Sequence, residues 1–381
     1  MLKMKIAYVS TYLPQQCGIA TYTDYVIRAI QKVSPLVDIK VVAEKGALPV
    51  KQDKFEVVPC WDRNENYVDP IISNVKDVDI VHIQHEYGIY KFDDRLPTLL
   101  KRLKTERKRT IVTIHCITPF QFAKGEVLMM AENCVKKIAA LADEVIVHLE
   151  SQKAILERLG IPSEKIHIIP HGTEVSNEDK KKSRLLLNLP EEGKIMTVFG
   201  FINPFKDLDV SLEVLKEVKE EVEDLYLFIA GGLPPGASKK AKDYVEKLRK
   251  RIKELDLTDN VIFPNKFIPN EEIPNIFGAS DVVMFPHYHE DRSVSGSLHL
   301  AIGAKKPVIA YRMPKFEEVK NISDELLVLP GNASGIAKTA IRIFTDKEFE
   351  QYVLERTDQY RRATSWPVTV RKHLRLYLGV D

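Results

Sequence analysis

Short apolar runs recur along this chain with amphipathic helical stretches between them, and that alternation narrows the possible folds more than any other feature. Strand-like runs fall at 6–10, 39–43, 80–84, 110–115, 144–147 and 165–169, with helical patterns near 19–32, 95–105, 127–141 and 151–159. Strand following helix in this way predicts a parallel sheet covered on both faces. After Pro170-His171-Gly172-Thr173 the sequence turns polar, with Asn177-Glu-Asp-Lys-Lys-Lys182, and then the alternation begins again. New strands are expected at 194–200, 226–231, 261–263, 282–285 and 308–310, with helices near 209–221, 240–254, 271–277 and 297–303. The reading is α/β: two doubly wound Rossmann-like domains, 1–175 and 176–364, followed by an amphipathic helix, 365–381, that packs on the first domain.

The bulk numbers exclude several classes. A net charge of +2 with 29% charged residues gives no reason to expect a nucleic-acid partner. Cys17, Cys60, Cys116 and Cys134 show no CxxC spacing, which argues against disulfides and a structural zinc site. Met4-Lys-Ile-Ala-Tyr-Val9 reads as a core strand and not as a leader, and no apolar run reaches membrane-spanning length. The expectation is a cytoplasmic protein with reduced thiols and at most peripheral membrane contact. Abundant Lys and Glu with few Gln fits a thermophile.

Open parallel sheets bind ligands beyond the carboxyl ends of their strands, so the residues at those ends are the candidates. Gly18 follows the first strand and opens the first helix, where unpaired N–H groups face outward. His82, His85 and Glu86 end the third strand read here, His115 the next, and His171-Gly172 the last of the first domain. In the second domain Gly200 and Lys206 follow the opening strand, and Gly231-Gly232 the second. The stretch 281–310 reads as strand, turn, helix, strand, in which Ser295 or Ser297 caps a helix and Gly296 admits a close approach to backbone. Neither GxGxxG nor GxxxxGK[ST] occurs, which argues against a dehydrogenase or a P-loop NTPase. His287, His289, Glu290 and Asp291 are metal-capable by type, but four neighbours on one loop rarely converge on one ion.

Taken in order, Gly18-Ile-Ala-Thr-Tyr-Thr23, His82-Ile-Gln-His-Glu-Tyr-Gly88, His115, His171-Gly172, Gly200 with Lys206, and the pair 261–263 with 281–286 resemble the retaining GT-B glycosyltransferases of family 4 (glycosyl transferases group 1), in particular a mannosyltransferase-like branch. The resemblance implies an enzyme, a hexosyltransferase that takes mannose or glucose from a GDP-, UDP- or ADP-linked sugar without a cofactor or metal. The acceptor would be a carbohydrate or lipid-linked molecule. It places the donor on the second domain and the acceptor on the first, with His82, His85 and Glu86 on the acceptor side. Lys206 becomes a diphosphate ligand, and His115 lies beside the transferred sugar; these two are the catalytic candidates. Gly18, Gly200, Gly231, Gly232 and Phe267 join the donor-binding set, as do Ser295, Gly296, Ser297 and Leu298. Physically this is coherent, because a cation and a helix start stabilise charge developing on a leaving diphosphate.

The chain departs from the family pattern in three places. Phe201, Ile202 and Asn203 stand where the family carries an arginine, and Asp207 replaces a glycine and is expected to cap the next helix. The glutamates of the family's E-x7-E element fall on Arg292 and Leu300. Glu290 stands close enough to replace the first, and Arg292 can replace the lost cation. Two other functions remain open: a sugar-nucleotide 2-epimerase on the same scaffold, and a non-catalytic sugar-nucleotide binder.

Overall fold

The computed structural model describes residues 4–117, 126–234, 236–288 and 293–380. It divides into two compact units. The first takes in the described residues to Gly172, with Ser293, Val294 and those from Trp366 onward; the second runs from Thr173 to Tyr288 and from Ser295 to Ser365.

The first unit is built on β1 (Lys5–Ser10), β2 (Asp38–Glu44), β3 (Val50–Gln52), β4 (Phe55–Trp61), β5 (Ile80–His85), β6 (Arg109–Ile114), β7 (Glu144–Val147) and β8 (Ile166–Ile168). They form one sheet in the order β3-β4-β2-β1-β5-β6-β7-β8, parallel throughout except where β3 pairs antiparallel with β4. Central strands are apolar at successive positions because helices cover both faces, and β5 is buried along its whole length. The β3–β4 hairpin has no counterpart in the expected strands. The polar Lys51, Gln52 and Glu56 and the proline at 59 suit the rim of a sheet, where only part of each strand is covered. The order reverses at β1, which lies between β2 and β5, so the crevice of this sheet opens beyond the ends of β1 and β5.

The helix Trp366–Leu378 belongs to this unit and packs on the helix Gly18–Val33. Trp366 stacks on Tyr25 with ring centroids 5.6 Å apart. The Tyr377 hydroxyl lies 2.6 Å from that of Tyr8 and 2.7 Å from His82 Nδ1. Arg109 donates to the carbonyls of Leu376 (2.8 Å) and Tyr377 (2.7 Å), which satisfies acceptors that a helix end leaves open.

The second unit contains β9 (Lys194–Phe199), β10 (Leu225–Ala230), β11 (Val261–Ile262), β12 (Val282–Phe285), β13 (Val308–Tyr311) and β14 (Leu327–Val328). All pairs are parallel, in the order β11-β10-β9-β12-β13-β14. Here the reversal falls between β9 and β12, so the crevice lies beyond Phe199 and Phe285. Asp281 anchors the opposite edge. Its carboxylate accepts from Lys180 (2.5 Å), Arg184 (2.8 Å) and the Ile195 N–H (2.7 Å), which fixes where β12 starts beside β9.

Candidate active site

At the switch point of the second sheet, β9 ends in Phe199 and the chain turns at Gly200, whose φ of +105° disfavours any side chain. A 3-10 turn, Pro204–Lys206, then returns the lysine over the strand end. Its ammonium donates to the Phe199 carbonyl and lies 3.3 Å from Nε2 of His287, just past the end of β12. Lys206 is 9% exposed, and no carboxylate among the described residues pairs with it. Burial, helped by the nearby Lys315, pushes its pKa down to about 7. An ammonium in this state favours any arriving anion, because the anion supplies the missing counter-charge.

The glycines around it hold backbone against backbone. A Cβ on Gly231 would lie 2.1 Å from the Gly200 carbonyl oxygen, and one on Gly232 would lie 2.6 Å from the Lys266 carbonyl carbon. This packing gathers the loops after β9, β10 and β11 and sets Phe201 near Phe267, with ring centroids 6.2 Å apart and both rings exposed. On the other side of β12, Ser295 caps the helix Gly296–Gly303 by accepting from Leu298 N–H at 3.3 Å, and Ser297 Oγ lies 3.1 Å from Ser295 Oγ. Leu298 is buried beneath the cap. Glu290 and Arg292 lie outside the described residues, as do His289 and Asp291. Asp207 corrects an expectation: it precedes the helix Leu208–Val218 but does not cap it with its side chain. The carboxylate accepts instead from the Tyr311 hydroxyl at 2.8 Å, and its αL backbone (φ 48°) turns it that way.

In the first unit, Gly18 opens the helix Gly18–Val33, and a Cβ there would meet nothing within 4 Å. Among the described residues nothing occupies the position where a side chain at 18 would stand. Glu86 is tied to its own loop, its carboxylate accepting from Gly88 N–H at 2.6 Å. His82 and His85 require correction as acceptor-side residues. His82 lies inside β5 with no exposed surface, held by Tyr377 and by Thr113 Oγ1 at 2.7 Å. His85 is equally buried on the opposite face, against the rings of Tyr87 and Tyr90, and burial pushes its pKa to about 3. The period of two along a strand puts 82 and 85 on opposite faces, and the fold covers both faces.

His115 keeps its place at the end of β6, 6% exposed, with Nε2 2.9 Å from the Gln84 amide and Nδ1 3.3 Å from His148 Nε2. Burial holds its pKa well below the usual histidine value, so the ring is neutral. Tyr22 meets it edge-on at 4.7 Å, and His171 lies 5.2 Å from that same tyrosine. Sequence reasoning missed His148, although it directly follows β7 and the strand-end criterion that selected His115 applies equally to it. It also missed Glu44 and Arg63, a pair joined by Nε–Oε1 at 2.5 Å and by a second Nη2–Oε2 bond. Arg63 further donates to the Gly88 carbonyl (3.0 Å), and Gln15 to Glu44 (3.2 Å), so the loops after β1, β2, β4 and β5 are bound together. That pair was illegible because the strand leading to Arg63 was not recognised. Among the described residues no group of three or more His, Cys, Asp or Glu side chains could hold a metal ion, and no helix is long and apolar enough to cross a membrane.

Both halves of the chain match known families. Residues 18–177 match the family described as Glycosyltransferase Family 4, and residues 179–360 the one described as Glycosyl transferases group 1. A 2-deoxystreptamine glucosyltransferase from Streptomyces kanamyceticus is 27% identical over 197 residues, which is 49% of this chain and 47% of that relative. The chain spans about half the length of the curated relatives it matches. Among solved structures, HepE from Anabaena in complex with UDP superposes with a TM-score of 0.73 at 16% identity, covering 99% of this chain and 100% of that one. A sucrose-phosphate synthase from Thermosynechococcus elongatus gives 0.76 at 18% identity, covering 99% and 98%. These likenesses establish the GT-B fold.

Proposed function

We propose that this chain, a member of the group 1 glycosyltransferases with the GT-B fold, is a retaining glycosyltransferase that moves a hexose, mannose or glucose, from a nucleoside-diphosphate sugar to a carbohydrate or lipid-linked acceptor. One observation carries the reading: Lys206 holds a buried ammonium, unpaired with any described carboxylate, at the switch point of the second sheet. Its length and position suit a diphosphate whose negative charge grows as the glycosidic bond breaks. The capped start of Gly296–Gly303 lies after β12 and adds outward N–H groups of the kind that bind phosphate. The reading needs no protein nucleophile, because a leaving phosphate oxygen can take the acceptor's proton on the face it leaves. It also needs no metal, since the lysine supplies the positive charge. Uridine is a natural first base to test, because HepE was solved with UDP and UDP-glucose, and guanosine follows from the mannosyltransferase-like branch.

The test is incubation with labelled UDP-glucose, GDP-mannose and ADP-glucose. Slow hydrolysis or transfer with release of the nucleoside diphosphate, lost in Lys206→Ala, supports the proposal. Binding without turnover of any donor, or interconversion of the donor sugar, overturns it.

A further inference from the structure

Two imidazoles join the carboxyl ends of β6 and β7, and the partners of one dictate the proton position on the other. His148 Nδ1 is 2.8 Å from the Ile169 carbonyl, an oxygen that only accepts, so Nδ1 bears a proton. Its Nε2 faces His115 Nδ1 at 3.3 Å. His148 is 2% exposed and lies among the rings of Tyr22, His115 and His171. In neutral His148 the Nε2 atom holds a lone pair, and the shared proton then belongs to His115 Nδ1. The basic nitrogen of His115 is consequently Nε2, which faces the Gln84 amide at 2.9 Å. An amide turned with its nitrogen toward His115 donates to that lone pair, and so gives the buried Gln84 Nε2 a partner that it lacks in the opposite orientation. Gln152 locks the frame. Its Oε1 accepts from the N–H groups of His148 (2.8 Å) and Leu149 (3.1 Å), and its Nε2 donates to the His115 carbonyl (3.2 Å).

We infer that His148 is a positioning residue: it holds His115 as the Nδ1–H tautomer, so that Nε2 is available to accept a hydrogen bond from a hydroxyl of the bound sugar in place of the Gln84 amide. The inference rests on the reading of His115 as the residue beside the transferred sugar. No proton is transferred at His115 in this role; the ring orients a hydroxyl, and its tautomer decides whether it can.

Nitrogen-15 NMR of histidine-labelled protein tests the tautomer without any substrate. The expected wild-type spectrum at pH 7 shows His115 with a protonated Nδ1 and an unprotonated Nε2. In His148→Leu the constraint is gone, and His115 should convert to the Nε2–H form that donates to Gln84, with kcat falling at least tenfold and the donor KM little changed. His148→Gln can accept from His115 and donate to Ile169, so it should restore the wild-type tautomer and bring kcat within a few fold of wild type. An Nε2-protonated or doubly protonated His115 in the wild type overturns the inference, as does a His148→Leu protein that keeps both tautomer and turnover. If His148→Leu does not fold, the wild-type spectrum and the Gln variant still decide. A protein with the expected tautomer but no transferase activity on any donor overturns the functional reading and leaves the tautomer assignment standing.

Discussion

The Lys206 ammonium lies 3.3 Å from His287 Nε2, so the ends of β9 and β12 are joined by a buried cation that pairs with no described carboxylate and an imidazole nitrogen that can accept from it. A neutral imidazole satisfies one N–H of the lysine but leaves its charge uncompensated, and an arriving anion supplies the compensation.

That arrangement makes donor binding proton-linked. Lys206 has a folded pKa of about 7 against 10.5 when unfolded, and a bound diphosphate raises it again. Between about pH 7 and the higher value in the complex, binding must take up a proton. Calorimetry of UDP or GDP binding at pH 8, in buffers of different ionisation enthalpy, should show uptake approaching one proton, absent in Lys206→Met. Equal heats in all buffers would sink the assignment. Lys206→Ala should also lose roughly 2.7–4 kcal/mol of transition-state stabilisation, about what removal of one oxyanion donor costs.

The same lysine sets a stability trend in the free protein. Below pH 7 the folded state bears the full cost of a buried charge, and the cost is relieved as pH rises from 7 to 10.5 while the unfolded chain stays protonated. Lys206→Met should therefore melt above wild type at pH 6, with the gap closing toward pH 10. A gap that is constant with pH would mean that Lys206 is charged and solvated in the fold.

Acid should attack the first unit. His85 is pushed to about 3 and His373 to about 4 by burial, and His82 and His115 are held well below 6.5. As pH falls below 6.5 the unfolded chain binds protons that the fold excludes, so stability drops by up to roughly 1.4 kcal/mol per pH unit for each histidine. Trp61 and Trp366, the chain's only tryptophans, both lie in this unit, so indole fluorescence reports it alone. A fluorescence melting temperature unchanged between pH 7 and 5 would contradict the burial described.

Gly172→Ala should release the helix Trp366–Leu378. A Cβ at 172 would stand 2.1 Å from the Trp366 ring, and that ring is held on its other sides by Tyr22 and Tyr25. Overpacking of this kind costs about 1–3 kcal/mol. Denaturation followed by tryptophan fluorescence, together with faster proteolysis at the helix, would register the loss; wild-type values for both would refute the packing.

Gly296→Val places a branched side chain where the helix start must meet phosphate, and it should abolish nucleoside-diphosphate binding while the free protein melts within a few degrees of wild type. Unchanged diphosphate affinity, read by thermal shift, would remove this turn from the donor site. Turnover should also survive EDTA, because Lys206 and this turn provide the charge complement. Complete loss restored by magnesium or manganese would require a metal instead.

What could be read from the sequence follows from which signals are local. Lys206 and Ser295 were legible as candidates because each lies in the loop after a strongly apolar strand, and strand ends in parallel sheets are where ligands bind. β4 escaped because Glu56 and Pro59 interrupt its apolar run and only Val57 and Trp61 are fully covered, and β14 because two residues set no periodicity. His82 was misjudged because the helix that buries it begins nearly three hundred residues later, a relation with no local signature. Asp207 was misread for a similar reason: a local capping preference yields to Tyr311, which lies on another strand.

The position of the Trp366–Leu378 helix imposes an order on biosynthesis. Tyr8, Tyr22 and His82 precede the second unit in the chain, yet the side chains that cover them, Tyr377 and Trp366, are translated only after the whole of that unit. The second unit can therefore close while the first still shows an open aromatic face. A nascent chain therefore passes through a stage in which the second unit is complete and the first is the part that a chaperone would have to shield.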